Sequence, residues 1–216
     1  MALLTWARKG VILLVTGERG TLRLIPFARY GLGTLFICLL LFGAAGAGLW
    51  MYVHPAAAAV PGLLALFAVW FFRDPERVPP AGEEVIVSPA DGTVADIEEM
   101  EEDVYVGTKT VRVGIFLSVF NVHVNRSPLA GKVGFVKYRP GKYLAAFNHK
   151  ASTDNEANSV GLETNFTNGD GKPIRVLVKQ IAGLIARRIV CVCKESEELL
   201  RGERFGMIKF GSRTEI

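Results

Sequence analysis

The chain has 216 residues, 50% of them hydrophobic and 21% charged, with a formal net charge of +4. Residues 30–72 contain no Asp, Glu, Lys or Arg at all, which excludes a uniformly disordered chain and a nucleic-acid binder with its basic charge spread over a folded face. Residues 1–29 set Arg8, Lys9, Arg19, Arg23 and Arg29 against Glu18 alone, so this segment accounts for the whole net charge and the remainder is balanced.

Residues 1–29 form the first predicted element, a basic segment in which Gly10 to Leu24 mixes apolar side chains with Glu18, Arg19 and Arg23. That mixture suits the headgroup level of an anionic membrane. Two apolar stretches follow, Tyr30 to Val53 with 24 residues and Ala56 to Phe72 with 17, divided by His54-Pro55. A helical span needs about 20 apolar residues. The pattern therefore predicts an N-terminal α-helical membrane hairpin over 30–72 with a short second helix, although Gly43 to Gly48 and the prolines leave a hairpin dipping into one leaflet open. The run is too long, and starts too late, for a cleaved signal peptide. Arg23 and Arg29 precede it and Arg73 and Arg77 follow it. The positive-inside rule then places both outer ends, and the domain after them, on the cytoplasmic side of the membrane.

Three prolines and four charges in Arg73 to Pro80 end any helix, so 73–83 reads as a linker. Residues 84–216 read as a compact, mainly β domain. Predicted strands are Val85–Val87 and Thr93–Ile97 around the Asp91-Gly92 turn, Val111–Leu117, Lys132–Tyr138, Val160–Phe166, Ile174–Val178 and Arg187–Cys193. About 130 residues suffice for one core. Cys191 and Cys193 alternate onto one face, without the partners of a zinc site and too close in sequence for an easy disulfide, so free thiols and no metal are expected; Cys38 lies in the apolar run.

Three polar residues of this domain could carry chemistry: Asp91 in Ser88-Pro-Ala-Asp-Gly-Thr93, His123 in Phe120-Asn-Val-His-Val-Asn-Arg-Ser-Pro128, and Ser212 in Phe210-Gly-Ser-Arg213. Singly they read as a turn former, a structural histidine and a loop serine. Together they supply a hydroxyl, a base and a carboxylate able to orient the base, though spacing does not show that they meet. The G-x-S-x-G, G-x-x-x-x-G-K-[ST] and G-x-G-x-x-G signatures are absent, which removes the usual marks of an α/β-hydrolase or a nucleotide binder.

These stretches, with Gln180-Ile-Ala-Gly-Leu-Ile-Ala-Arg-Arg-Ile189 and Arg204-Phe-Gly-Met-Ile-Lys-Phe-Gly-Ser212-Arg, resemble the short-form bacterial phosphatidylserine decarboxylase proenzymes from about Phe71 to the end. The resemblance implies an enzyme of the bacterial inner membrane that cleaves itself between Gly211 and Ser212 and converts Ser212 into a covalent pyruvoyl group, with neither metal nor pyridoxal phosphate. It implies His123 as the base and Asp91 as the residue holding its ring. The ketone would capture the amine of phosphatidylserine in the bilayer and accept the electrons released as carbon dioxide leaves, giving phosphatidylethanolamine. The cleaved C-terminal fragment would be a partner of the main chain; nucleic acid is not expected, and a homo-oligomer is allowed. Longer members carry a second histidine where Phe120 stands, and the family usually has an arginine where Ala157 stands in Asn155-Glu-Ala-Asn158. Phe120 and His149 are therefore candidate substrate-binding residues, with His149 also a candidate proton donor. Family members continue with further strands past the serine, so a truncated C-terminus of low stability is expected. The alternatives are a catalytically inactive, membrane-anchored relative that binds lipid or a partner, and a serine hydrolase built on Ser212, His123 and Asp91.

Overall fold

A computed structural model describes residues 27–82, 85–146, 148, 150–167, 171, 173–184, 188–209 and 211–216. The basic segment up to residue 26 and His149 lie outside the described residues. Two units are distinguished, one ending at Pro75 and the other running from Glu76 to Ile216.

The uncharged run folds as helix α1, Leu32–Tyr52, a 3-10 turn over Pro55–Ala58, and helix α2, Ala59–Phe71. His54 divides them because its Nδ1 accepts the Ala56 N–H at 3.2 Å and Pro55 takes the first position of the turn, where no donor is needed. With 21 residues α1 is about 31 Å long, enough for the hydrocarbon core. Among the described residues the helix Arg29–Tyr52 alone is long and apolar enough to cross a membrane. The second helix has 13 residues, about 20 Å. Phe36, Leu41, Met51 and Leu63 stand outward and exposed, while Phe71 and Phe72 are fully buried. The two ends of this unit meet where the Ala28 N–H donates to the Phe72 carbonyl at 2.8 Å.

The second unit is built of two antiparallel sheets. The first has seven strands in the order β1-β2-β10-β6-β5-β4-β8, and the second three in the order β3-β9-β7. The strands are β1 Thr93–Glu102, β2 Thr108–Leu117, β3 Val124–Arg126, β4 Gly131–Arg139, β5 Ala157–Thr167, β6 Pro173–Ile181, β7 Arg188–Cys191, β8 Glu198–Leu199, β9 Arg204–Lys209 and β10 Ser212–Glu215. One short helix, α3 Ala151–Asp154, precedes β5. Alternation sends Val133, Val160, Leu162, Val176 and Val178 into a common core with Leu129, Cys193, Leu199 and Phe205.

Residues Val85–Val87 are not a strand. Val87 makes a single backbone bond to the Pro128 carbonyl, Pro89 accepts from the Arg126 N–H, and Arg201 takes the carbonyls of Pro80, Gly82 and Val85. These side-chain and loop contacts replace a ladder, so the Asp91-Gly92 turn closes no hairpin. The expected linker is likewise fastened to the β unit from residue 76 on, through Glu76–Arg204 at 2.5 Å and Arg77–Asp91 at 2.8 Å.

Leu162 is fully buried at the centre of the core. Its truncation to alanine deletes methyl groups that the surroundings cannot replace, and Leu162→Ala is expected to cost about 2–5 kcal/mol. Denaturant unfolding of the detergent-extracted protein should show this as a lower midpoint at unchanged slope.

Candidate active site

Strand β10 consists of Ser212, Arg213, Thr214 and Glu215, four polar residues that the sequence does not mark as a core strand. It is nevertheless an interior strand. Ser212 pairs with Leu117 of β2, Arg213 with Phe116 of β2 and Ile181 of β6, and Thr214 with Ile115 and Gln180. With both edges bonded, its side chains are buried on both faces and every polar group needs a partner.

Alternation divides those partners. On one face Thr214 Oγ1 accepts from Asn125 Nδ2 at 3.2 Å, Asn125 Oδ1 accepts from Gln180 Nε2 at 2.8 Å, and Gln180 Oε1 accepts from Asn158 Nδ2 at 3.2 Å. Asn125 belongs to the three-stranded sheet, so this chain of amides joins the two sheets. On the other face Arg213 Nη2 donates to both Asp96 oxygens at 2.7 Å, and its Nε donates to Glu215 at 2.8 Å. Burial alone would lower the Arg213 pKa, but the hydrogen bonds to Asp96 and Glu215 outweigh it and raise the pKa. Glu215 also accepts from the Ser152 hydroxyl and lies 3.9 Å from Lys179 Nζ. Burial lowers the Lys179 pKa, and the Glu215 charge opposes that shift.

Ser212 differs from its neighbours. It is fully buried, and its Oγ has no hydrogen-bond partner among the described residues. An orphaned buried hydroxyl costs about 1–3 kcal/mol. The preceding Gly211 has φ +68°, in the left-handed region where a residue with a Cβ is strained. The residue on one side of the 211–212 peptide is thus held in an unusual conformation, and the hydroxyl on the other side has been stripped of water.

The loop after β2 carries His123. His123 is fully buried just before β3, which pairs with β9, the strand that runs toward Gly211. The Asn121 carbonyl lies 2.9 Å from Nδ1, and the Gly211 N–H donates to Nε2 at 3.1 Å. A carbonyl can only accept, so Nδ1 carries the proton and Nε2 presents its lone pair toward Gly211. Two residues that the sequence singled out from distant stretches therefore meet, His123 and Gly211 of the Gly211-Ser212 dipeptide. The partner at Nδ1 is a backbone carbonyl, which no side-chain motif could reveal.

Asp91 lies in a turn against the end of β2. Its carboxylate accepts from Arg77 Nη2 at 2.8 Å, and Gly92 lies close enough to β2 that a Cβ there would be 2.4 Å from the Phe116 carbonyl oxygen. Phe116 pairs with Arg213 and its neighbour Leu117 with Ser212, so backbone register brings the Asp91 turn to the end of the sheet that holds Ser212. Sequence reasoning missed Arg77, which read as part of a linker. Phe120 is 66% exposed on the loop carrying Asn121 and His123. Cys191 and Cys193 are free thiols with sulfurs 3.4 Å apart. That contact lowers the Cys191 pKa and raises the Cys193 pKa.

Residues 64–216 match the sequence profile of the phosphatidylserine decarboxylase family. The phosphatidylserine decarboxylase proenzyme of Symbiobacterium thermophilum is 51% identical over 166 residues, 77% of this chain and 74% of that protein. The proenzyme of Syntrophus aciditrophicus is 47% identical over 193 residues, covering 89% and 83% of the two chains, and that of Chlorobium phaeobacteroides 44% over 190 residues, covering 87% and 85%.

The ion pairs behind β10 make a stability prediction. Asp96→Ala removes the two-oxygen acceptor of a guanidinium that is almost wholly buried. Breaking a buried pair from one side costs about 3–5 kcal/mol, and the remaining Glu215 bond should keep the loss near the lower figure. Denaturant midpoints of wild type and variant measure it directly.

Proposed function

We propose that this chain, which belongs to the phosphatidylserine decarboxylase family, cuts itself between Gly211 and Ser212 and converts phosphatidylserine to phosphatidylethanolamine. The observation that carries the reading is the fully buried, unpartnered Ser212 hydroxyl next to a left-handed glycine whose N–H touches the histidine base. A serine hydrolase needs its hydroxyl open to an outside substrate. A hydroxyl with no exposure can reach only its own chain.

The self-processing steps follow from these residues. His123 Nε2 exchanges the Gly211 N–H for the Ser212 hydroxyl and takes its proton as Oγ attacks the Gly211 carbonyl carbon. The C–N bond then breaks, the nitrogen of residue 212 is protonated to an amine, and Gly211 is left as an ester on Oγ. Loss of the residue 212 Cα proton with rupture of the Cβ–Oγ bond releases Gly211 as a carboxylate. The dehydroalanine that remains tautomerises and adds water, liberating ammonia and leaving a pyruvoyl group on the strand that begins at 212. The Asn121 carbonyl keeps His123 in the tautomer this sequence needs. Asp91, held by Arg77, supplies negative charge at the Ser212 end of the sheet, where it favours the imidazolium.

The residues present fit a pyruvoyl group, because the buried position of Ser212 already lacks hydrogen-bond partners among the described residues and suits a ketone better than a hydroxyl. When formed, the group supplies an electrophilic carbonyl that captures the substrate amine and accepts the electron pair left by carbon dioxide. Strand β10 holds it in place through its ladders to β2 and β6 and through Arg213 and Glu215, so the cleaved C-terminal piece stays bound as part of the enzyme. Cleavage frees the carboxylate of Gly211 to withdraw and opens a path to residue 212. Phe120, on the same loop as His123, offers an apolar contact for lipid. The apolar hairpin tethers the unit to the bilayer that holds the substrate, and Arg29 and Arg73 at its ends support a cytoplasmic orientation by the positive-inside rule.

Purified protein is expected to release carbon dioxide from phosphatidylserine in mixed micelles, whereas Ser212→Ala should remain one uncleaved chain with no release. His123→Ala should slow cleavage by about 10²–10⁴-fold. Normal processing of either variant overturns the assigned roles.

A further inference from the structure

The segment after β6 touches the peptide bond that the proposed self-processing breaks. In the antiparallel register Arg213 faces Ile181 and Thr214 faces Gln180, so continuing past the end of β6 sets Ala182 opposite Ser212 and Gly183 opposite Gly211. Ala182 is fully buried and its N–H donates to the Glu156 carbonyl at 2.9 Å, which carries the β5–β6 pairing one residue further. Gly183, also buried, is left lying against the Gly211 carbonyl. A Cβ built on it would stand 2.3 Å from the Gly211 carbonyl oxygen, 3.3 Å from the carbonyl carbon and 3.3 Å from the Ala146 Cβ.

We infer that Gly183 is a positioning residue for self-cleavage: its missing side chain is the space that the scissile carbonyl occupies when it faces Ser212. The inference rests on cleavage at Gly211-Ser212. A Cβ does not approach an oxygen closer than 3.0 Å without something shifting. What would shift here is backbone, at the carbon that Ser212 attacks. The Gly211 N–H is tied to His123 on one side and residue 212 is pinned in the sheet on the other, so displacement falls on the carbonyl between them. Glycine in a strand or beside one commonly marks such a close backbone approach. A misplacement of this order at a reacting centre lowers the rate by about a hundredfold.

The test compares Gly183→Ala with Gly131→Ala, both in the full-length chain. A Cβ at Gly131 would meet the Glu163 carbonyl oxygen at 2.4 Å, so it imposes the same kind of crowding in β4, on a carbonyl that takes no part in cleavage. Cleavage is followed by intact mass in the folded, detergent-extracted fraction, with melting midpoints for both variants. Hydroxylamine is added in parallel to split any accumulated Gly211 ester. Gly183→Ala is expected to fold, to cleave about a hundredfold more slowly than Gly131→Ala, and to yield no hydroxylamine-sensitive ester, because the block falls before the ester forms. Equal cleavage of the two variants, accumulation of the ester, or a Gly183→Ala chain that fails to fold while Gly131→Ala folds would each overturn the assignment. A wild-type chain that stays intact would instead refute the underlying self-processing reading, and this inference with it.

Discussion

The pairing of Ser212–Glu215 between β2 and β6 is the constraint from which the rest of the site follows. A four-residue polar strand has little hydrophobic reason to sit inside a seven-stranded sheet, and it is held there by ladders on both edges and by ion pairs and amides on both faces. Because the strand is fixed, its first residue is fixed. Because the strand is interior, that residue's hydroxyl has lost water. The orphaned Oγ and the left-handed Gly211 are local costs of a few kcal/mol that the surrounding sheet over-determines, and such strain at one peptide bond favours its rupture.

The polarity of the two faces serves different ends. The amide chain Thr214–Asn125–Gln180–Asn158 runs on the Ser212 side and links the strand of Ser212 to β3, two residues beyond His123. It therefore sets the register between the Ser212 hydroxyl and the His123 ring across the two sheets. The Arg213–Asp96–Glu215 cluster lies on the opposite face, away from the reacting atoms, and anchors the strand whether or not the chain before it is intact.

Much of this was legible in the sequence, and the parts that were not depend on contacts that only the folded chain makes. The hairpin was legible because an uncharged run longer than a helical span has few other solutions, and β2, β4, β5 and β6 were legible because apolar alternation announces them. Val85–Val87 looked like a strand by composition, but Arg201 and the Pro128 carbonyl claim its backbone groups. Strand β10 was invisible for the opposite reason: its residues are polar, and only long-range pairing makes them core. Asp91, His123 and Ser212 could be singled out by chemical type and by resemblance. The Asn121 carbonyl comes from the local path of the loop around His123 and the Arg77 contact from where one side chain lands on Asp91, while the space at Gly183 depends on backbone approach between the end of β6 and residue 211; residue identity encodes none of the three.

The central claim is that the 211–212 bond is broken by its own serine and not by a protease. The mass of the C-terminal fragment, taken from denatured protein after expression in bacterial membranes, tests it most directly. A fragment beginning at residue 212 and lighter than its serine-terminated equivalent by the mass of one ammonia is the predicted result. An intact chain, or a fragment that keeps an ordinary serine amine at its start, would contradict the account.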